Sequence, residues 1–268
     1  LSNTFGSNVF NYDVRNTNNA SMGAQSPTEF NAGSHGFLQN TFNVDVAKKI
    51  NNFNIAFGGE WRFEQYQIKA GEEASYKNYG LVPGAVGGAQ SFIGFSDENA
   101  IKKSRNSEAI YADVSYDLDK LNVDAAARFE NYSDFGSALT GKLALRYELF
   151  KNFSLRGAVG TGFRAPSLQQ QYFNNSFVDI STSGSGIVKK GIFTNYSEAA
   201  QDIGFDPLKE EKSINSSVGF TFKPASKLFI TLDGYLIKVK DRIVITSQFS
   251  DPNFAKYDVE SARFFANA

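Results

Sequence analysis

Apolar and polar residues alternate along much of this chain, which is the pattern of β-strands with one apolar face and one polar face. In residues 53–63 the odd positions are apolar or glycine, and the even positions include Glu60 and Arg62. The same alternation predicts strands at 5–15, 38–50, 53–69, 107–118, 121–132, 138–149, 153–163, 212–222 and 227–245, with a tenth near 259–267. The chain is therefore predicted to be all-β, with about nine or ten strands.

The connections between these segments fall into two classes. Short connections are predicted at Asn51, Asp119, Phe150 and Lys223, and long ones at 16–36, 70–106, 164–211 and 246–258, while 133–137 is a short exception. Neighbouring connections of an up-and-down meander lie at opposite ends, so this order places the long ones at one end. Outer-membrane barrels have this asymmetry, with long extracellular loops and short periplasmic turns. We therefore predict part of an antiparallel up-and-down transmembrane β-barrel, formed by residues 1–268 as one segment.

Composition narrows the classes of protein that fit. Aromatic residues make up 15% of the chain, with 26 Phe and 12 Tyr, which suits many strands with an apolar face. No apolar run approaches the roughly 18 residues of a spanning helix, whereas a spanning strand needs only about 9–11. A net charge of −1 without a basic run argues against nucleic acid binding. The lack of cysteine excludes disulfides, thiolate catalysis and zinc-thiolate sites.

The strand at 153–163 leads into the sequence GFRAPS, residues 162–167, and then into a long polar segment. Pro166 has no N–H to donate to a neighbouring strand, so we expect the ladder to end close to it. The stretch RGAVGTGFRAPSLQQQYF resembles the mid-barrel signature of TonB-dependent outer-membrane receptors. Two later stretches resemble the same family: 208–215, with Glu210 in place of the usual Pro, and 232–243. The residues matched to the signature are Gly162, Phe163, Arg164, Ala165, Pro166, Glu211 and Ser213.

The resemblance implies a location in the outer membrane of a Gram-negative bacterium and a role in TonB-energised uptake. Receptors of this family close about 22 strands around an N-terminal plug. The implied partners are outer-membrane lipid, the rest of the same barrel with its plug, TonB acting through that plug, and a scarce substrate such as an iron chelate (siderophore), cobalamin or an oligosaccharide. These residues would form wall and capture loops, without the plug. The alternatives are a passive porin or adhesive barrel, and a soluble carbohydrate-binding β-sandwich.

Aromatic residues in the predicted long loop at 164–211 are the candidates for ligand contact. Exposed aromatic side chains in a loop need a reason, and these would either fold the loop on itself or contact a ligand. The sequence leaves both roles open for Tyr172, Phe173, Phe177, Tyr196 and Phe205.

Other residues that suggest chemistry have simpler structural explanations. Gly160, Gly162 and Ala165 fit a dinucleotide-binding pattern, but Pro166 stands where a helix would have to begin. His35, the single histidine, is predicted to lie in a loop without partners. The acidic pairs at 72–73, 97–98 and 210–211 are typical of solvated loops. We therefore predict no catalytic, cofactor or metal site and no enzymatic activity.

Two further groups are assigned by their place in the strands. Alternation places Arg128, Glu130, Arg146, Glu148 and Arg156 on the polar face, where we expect a lattice of ion pairs on the lumen wall. Several aromatic residues near strand ends are expected to form an interfacial girdle, namely Trp61, Tyr66, Tyr132, Phe135, Tyr147 and Phe163.

Overall fold

Nine long strands form one continuous antiparallel sheet in the computed structural model, which describes residues 1–180 and 186–268. In chain order the strands are β1 (Ser2–Arg15), β2 (Glu29–Ile50), β3 (Phe53–Lys69), β4 (Ile101–Leu118), β5 (Leu121–Tyr132), β6 (Gly136–Phe150), β7 (Phe153–Arg164), β8 (Asn175–Ile180), β9 (Ile187–Ile192), β10 (Glu211–Ala225), β11 (Leu228–Lys240), β12 (Ile243–Ile245), β13 (Val259–Arg263) and β14 (Phe265–Asn267). The large sheet has the order β1-β2-β3-β4-β5-β6-β7-β10-β11. The predicted all-β, up-and-down arrangement is confirmed.

Short elements lie in the long connections. They are α1 (Glu73–Tyr76), α2 (Leu168–Tyr172), α3 (Glu198–Asp202) and two 3-10 helices, Ala20–Gln25 and Pro252–Tyr257. Across residues 1–180 and 186–268 no helix has the length and apolar character needed to cross a membrane. Strands β8 and β9 form a hairpin, and β13 adds to β9 in parallel.

Two tight turns depend on residues that tolerate a left-handed backbone. Asn51 has φ +52° between β2 and β3, and Asp119 has φ +43° between β4 and β5. Asn and Asp adopt this conformation more readily than other residues that carry a side chain, because their short polar groups bond locally. These turns fix a continuous register on both sides, with Ile50 opposite Phe53 and Leu118 opposite Leu121.

The two faces of the large sheet differ in chemistry. Phe57, Ile110 and Leu139 belong to one face, called here the outer face, and remain 55%, 66% and 71% exposed. The opposite, inner face carries Glu60, Arg128 and other charged residues. A continuous apolar surface of this kind is stable against lipid and unstable against water. No second sheet of the described residues covers the outer face, so the β-sandwich alternative is wrong.

Several predicted loop boundaries differ from the structure. β2 begins at Glu29, so the connection predicted at 16–36 ends at residue 28, and His35 lies in a strand. β4 begins at Ile101, which shortens the connection predicted at 70–106. The region 164–211 contains α2, β8, β9 and α3 in place of the predicted loop. For β2 and β4 the cause is the same, because a strand that is hydrogen-bonded to its neighbours needs no apolar face once it extends beyond the lipid.

The long connections carry their own packed core at one end of the sheet. Phe254 and Phe264 are 1% and 0% exposed and lie in a cluster with Phe193 and Val259. The 3-10 helix Pro252–Tyr257 therefore packs against the β13 end of the chain. Because these aromatic residues bury a large area, the connections form a compact layer at the long-connection end of the strands.

Arg105 attaches this layer to the sheet. The side chain is 5% exposed, and its Nε lies 2.6 Å from Glu64 Oε2. Its Nη1 donates to Pro166 O at 2.6 Å and lies 3.4 Å from Asp134 Oδ2. The guanidinium also stacks over Tyr132, with Cζ 5.2 Å from the ring centroid. One buried cation thus joins β4 to β3, to the β5–β6 connection and to the segment that follows β7.

We expect a charge at mid-height on the outer face to destabilise the protein in a bilayer. Val114 points outward from β4, and Val114→Arg should lower the free energy of unfolding by about 2–4 kcal/mol, because the cation would lie in hydrocarbon. Asn106→Arg, on the same face nearer the long-connection end of β4, should change it by about 0–1 kcal/mol. Denaturant unfolding of the intact protein from lipid vesicles measures both, and equal effects would contradict the assignment of the outer face.

Loss of Arg105 should loosen the layer of connections. Arg105→Met leaves Glu64 buried without its cation, which typically costs about 3–5 kcal/mol. We expect a lower thermal unfolding temperature and faster proteolysis within 165–210. Lys102→Met, an exposed neighbour on the same strand, is the control and should change neither. Adding Glu64→Gln should restore part of the loss, and the absence of any recovery would count against the buried-charge explanation.

Candidate functional site

The inner face carries ion pairs, some within one strand and one that reaches from β5 across β4 to β3. Arg128 Nε lies 2.6 Å from Glu130 Oε1, and Arg128 Nη2 lies 3.1 Å from Glu60 Oε1. Glu60 also pairs with Arg62 Nη2 at 2.7 Å, and Tyr132 Oη donates to Glu130 Oε2 at 2.9 Å. These contacts agree with the lattice expected for Arg128 and Glu130.

The other predicted members of the lattice have different partners. Arg156 forms a two-bond contact with Asp233, at 2.8 Å from Nε and 2.5 Å from Nη2. Arg146 Nη2 donates to Ser154 Oγ at 3.4 Å. The polar residues of the sheet therefore pair within one strand, between adjacent strands or across one intervening strand.

Arg164 and Glu211, which belong to the sequence signature, meet across the top of β7 and β10. Arg164 Nε and Nη2 donate to Glu211 Oε2 and Oε1 at 2.9 and 2.6 Å. Glu211 Oε1 also accepts from the backbone N–H of Ile243 at 2.7 Å. Arg164 Nη1 reaches Gln170 Oε1 at 3.1 Å. This bidentate pair is held on both sides and fixes where the long connection leaves the sheet and returns.

The residues after Arg164 begin a short helix at once. Pro166 is fully buried, and Ser167 caps α2 by accepting from Gln170 N at 3.1 Å, while Gln170 Oε1 accepts from Ser167 N. This capping box satisfies backbone groups at a helix start. The ladder ends at Arg164, as the position of Pro166 predicts. Gly162 and Ser213 are opposite each other within the β7–β10 ladder, beside Phe163, whereas Ala165 lies between β7 and α2.

Tyr172 and Tyr196 are two of the aromatic candidates that the structure brings together. Their rings stack at 5.0 Å between centroids with an interplanar angle of 18°. Tyr196 Oη donates to Gln171 Oε1 at 2.8 Å. Burial raises the pKa of Tyr196 to about 12 and also raises the pKa of Tyr172, so both remain neutral at physiological pH. Lys103 Nζ lies 5.4 Å from the Tyr172 ring centroid.

The other three candidates lie apart from this pair. Phe173 meets Phe95 edge to face at 6.4 Å. Phe205 stacks on Phe264 at 4.6 Å, within the core of the connections. Phe177 lines a cavity between two connections. The five residues therefore do not form one site, and most of their surface is used to fold the connections.

That cavity is the strongest candidate for a ligand site. Its volume is about 360 Å³, and it lies between the connection 70–100 and the β8–β9 hairpin. Volumes of roughly 300–1,000 Å³ are typical of small-molecule sites. The apolar part of its lining includes Tyr76, Ile93 and Phe177, and the charged part includes Asp97, Glu98 and Lys189.

Polar contacts hold the two walls of this cavity together. Asn99 is 1% exposed, and its Nδ2 donates to Asn174 Oδ1 at 3.3 Å and to Ser176 Oγ at 3.1 Å. Lys189 Nζ, on the β8–β9 hairpin, pairs with Glu98 Oε2 of the connection 70–100 at 2.9 Å. The walls are therefore positioned before any ligand arrives, with a cation, carboxylates and aromatic faces exposed to the interior.

Sequence reasoning missed most of this lining. The pair 97–98 was interpreted as a solvated stretch, yet Tyr76 Oη donates to Asp97 Oδ2 at 3.2 Å. Burial, followed by the nearby Asp97 carboxylate, raises the pKa of Tyr76. The available signal was the set of aromatic and aliphatic residues, among them Tyr76 and Ile93, inside a glycine-rich connection.

Two residues predicted for the aromatic girdle lie inside. Tyr66 and Tyr132 are 2% and 6% exposed, because alternation places them on the same face as Glu64 and Glu130. Trp61 and Tyr147 are 40% and 48% exposed on the outer face. His35 also faces inward, and its Nδ1 lies 3.4 Å from Tyr12 Oη. The described residues contain no group of three or more metal-ligating side chains.

Short stretches of the chain are similar to curated transporters. An 86-residue stretch is 30% identical to the "Vitamin B12 transporter BtuB" of Vibrio cholerae serotype O1, covering 30% of this chain and 14% of that protein. A 125-residue stretch is 26% identical to the protein of the same description from Vibrio vulnificus, covering 47% of this chain and 20% of that protein. The chain thus spans a small part of the length of these relatives.

Solved structures share the fold at low sequence identity. The siderophore receptor PirA from Pseudomonas aeruginosa superposes with a TM-score of 0.58 and 14% identity, over 100% of this chain and 45% of that one. A mutant of the ferric enterobactin receptor PfeA from the same organism gives 0.60 and 13%, over 99% and 36%. The copper transporter OprC gives 0.55 and 13%, over 99% and 37%.

A family profile covers nearly the whole chain. The profile described as "TonB dependent receptor-like, beta-barrel" matches residues 1–264. This match agrees with the antiparallel meander, the apolar outer face and the structures that share the fold. Members of this family are outer-membrane proteins of Gram-negative bacteria that transport rather than catalyse. The chain therefore belongs to the TonB-dependent receptor β-barrel family.

Proposed function

We propose that the protein containing this chain takes up a scarce small molecule across the outer membrane with energy supplied through TonB. The described residues would supply a section of the barrel wall and part of the capture surface. The transported compound would be an iron chelate, cobalamin or an oligosaccharide. The names of the similar proteins support a transport role, since they include vitamin B12 transporters, siderophore receptors and a copper transporter.

The long connections would face the outside of the cell. They lie together at one end of the sheet, while the turns at Asn51 and Asp119 lie at the other. Barrels of the outer membrane have long extracellular loops and short periplasmic turns. A ligand arriving from outside would therefore meet the layer of connections first.

The cavity beside Phe177 is the observation on which this proposal rests. It lies within the layer of connections, and its walls are joined by Asn99 before any ligand binds. Preorganised walls reduce the conformational entropy lost on binding. Aromatic rings and Lys189 would contact the apolar and anionic parts of a chelate, and the carboxylates of Asp97 and Glu98 would accept hydrogen bonds from hydroxyl groups.

Energised release requires parts of the receptor beyond this wall. In the mechanism expected for the family, TonB acts on a plug inside the barrel. The inner face of the sheet is polar: Glu60, Arg128 and Glu130 form ion pairs that face the barrel interior, and Arg156 and Asp233 form a more exposed one. A polar wall of this kind suits a plug that rearranges, because its contacts can exchange with water at little cost.

Removing the aromatic wall should weaken substrate binding. We expect Phe177→Ala to raise the Kd about tenfold, since the loss of a buried aromatic contact commonly costs 1–2 kcal/mol or about that factor. The measurement is binding of a panel (ferric catecholate chelate, cobalamin and an oligosaccharide) to the intact receptor in detergent. Leu81→Ala changes an exposed apolar residue of connection 70–100 that does not line the cavity, and should leave Kd unchanged. Equal effects of the two substitutions would exclude this cavity as the site.

Energy dependence separates this proposal from a passive porin or an adhesin. Uptake of the substrate bound by the panel should fall to background when the proton-motive force is dissipated, while binding to the cell surface persists. Uptake that continues without the gradient, in proportion to external concentration, would favour the porin. Surface binding without any uptake in energised cells would favour the adhesin.

A further inference from the structure

The ladder between β6 and β7 ends earlier than those on either side. The last β6–β7 pair at the long-connection end is Lys142 with Gly160. Beyond it, β6 continues to pair with β5 as far as Gly136, and β7 continues to pair with β10 as far as Arg164. The wall therefore separates into two parts here, and we call the resulting opening the β6–β7 groove.

The β6–β7 groove has a defined volume and an apolar floor. Its cavity measures about 410 Å³ and is lined by residues of β6, β7, β10 and β11. Leu139, which is 71% exposed, and Ile214, which is 50% exposed, both lie on the outer face beside Phe163. Below the groove the same face continues into the apolar band through Leu143 and Val159. An acyl chain lying on that band has a continuous apolar path into the groove.

Three lysines stand at the upper margin of the groove. Lys212 is opposite Lys240 in the β10–β11 ladder, and Ile214 is opposite Lys238, so all three lysines project from the outer face. Lys212 Nζ contacts Glu210 Oε1 at 3.1 Å. No ion pair to a described carboxylate within 1–180 or 186–268 is formed by Lys238 or Lys240. A net positive cluster therefore adjoins an apolar opening.

The height of the cluster agrees with the level of lipid headgroups. From Phe153 to Phe163 the outer face of β7 spans ten residue steps. With a strand tilt of about 40° this distance corresponds to roughly 25 Å, which is the height of the apolar band of an outer-membrane barrel. Lys212 pairs with Phe163 and thus lies where that band ends.

We propose that the β6–β7 groove binds an anionic, phosphate-bearing membrane lipid, with an acyl chain against Leu139 and the phosphate beside Lys212, Lys238 and Lys240. The apolar floor and the lysine cluster match the two parts of such a lipid. A soluble substrate would not need the apolar path from the membrane. This lipid site is separate from the cavity beside Phe177 and does not depend on the proposed uptake.

The test measures which lipid the intact receptor retains. Detergent-purified receptor is mixed with equimolar phosphatidylglycerol and phosphatidylcholine of identical acyl chains, and bound lipid is identified by native mass spectrometry. We expect a preference for phosphatidylglycerol of at least about tenfold, since each of the three basic residues near an anionic headgroup adds a several-fold gain. The triple variant K212Q/K238Q/K240Q should lose this preference, and K212R/K238R/K240R should keep it.

Two further variants make the result specific to the groove. K48Q/K151Q/K227Q removes the same charge at the short-turn end and should retain the preference. Leu139→Trp fills the groove without changing charge and should lower phosphatidylglycerol retention at least threefold, as expected for loss of an apolar contact. Retention of the preference by the Gln triple variant would overturn the proposal. So would undiminished binding by Leu139→Trp, or complete displacement of the lipid by excess inorganic phosphate, which would indicate a small-anion site.

Discussion

Backbone hydrogen bonding within lipid is the constraint on which this structure depends. A strand in hydrocarbon has no water for its N–H and C=O groups, so each strand must be paired on both sides. The order β1-β2-β3-β4-β5-β6-β7-β10-β11 meets this requirement for every internal strand, and each long strand pairs with its nearest neighbours in the sequence. The edges β1 and β11 have one partner each among the described residues, whereas a closed barrel has no such edges.

Backbone hydrogen bonds between strands hold the sheet together. The chemistry of its side chains can therefore change along the barrel axis. Within the lipid the outer residues must be apolar, as Val114 and Leu143 are. Above the lipid, β2 contains Asn, Gly, Ser and His residues and still forms a strand, because β1 and β3 supply partners for its backbone hydrogen bonds. The layer of connections is then attached by a few strong contacts, of which Arg105 with Glu64 and Arg164 with Glu211 are the main ones.

This division explains what the sequence could predict. The alternation at 53–63 and turn residues such as Asn51 and Asp119 are patterns between residues close in sequence. From such patterns the strands, the meander and the inward direction of Arg128 could be predicted. His35 was misplaced because a polar strand beyond the lipid resembles a loop in sequence. Tyr66 and Tyr132 were assigned by nearness to strand ends, although their parity with Glu64 and Glu130 placed them inside. The contacts of Arg105 with Pro166 and of Tyr172 with Tyr196 join residues 61 and 24 positions apart, and no local pattern encodes such distances.

The separation of β6 from β7 shows how backbone groups are satisfied at the point where the ladder between two strands ends. At the point of separation the N–H of Gly141 donates to Thr161 Oγ1 at 3.0 Å, so a side chain replaces the carbonyl that a continued ladder would supply. Gly160 stands beside this point, and a Cβ there would lie 3.2 Å from Gly141 O, which favours glycine at a close approach of the two backbones. Above it, unpaired backbone groups are tolerable only where water or polar headgroups reach them. The separation begins at Gly160, three residues below the level of Phe163 and Lys212, so its unpaired backbone groups lie close to the level of the headgroups.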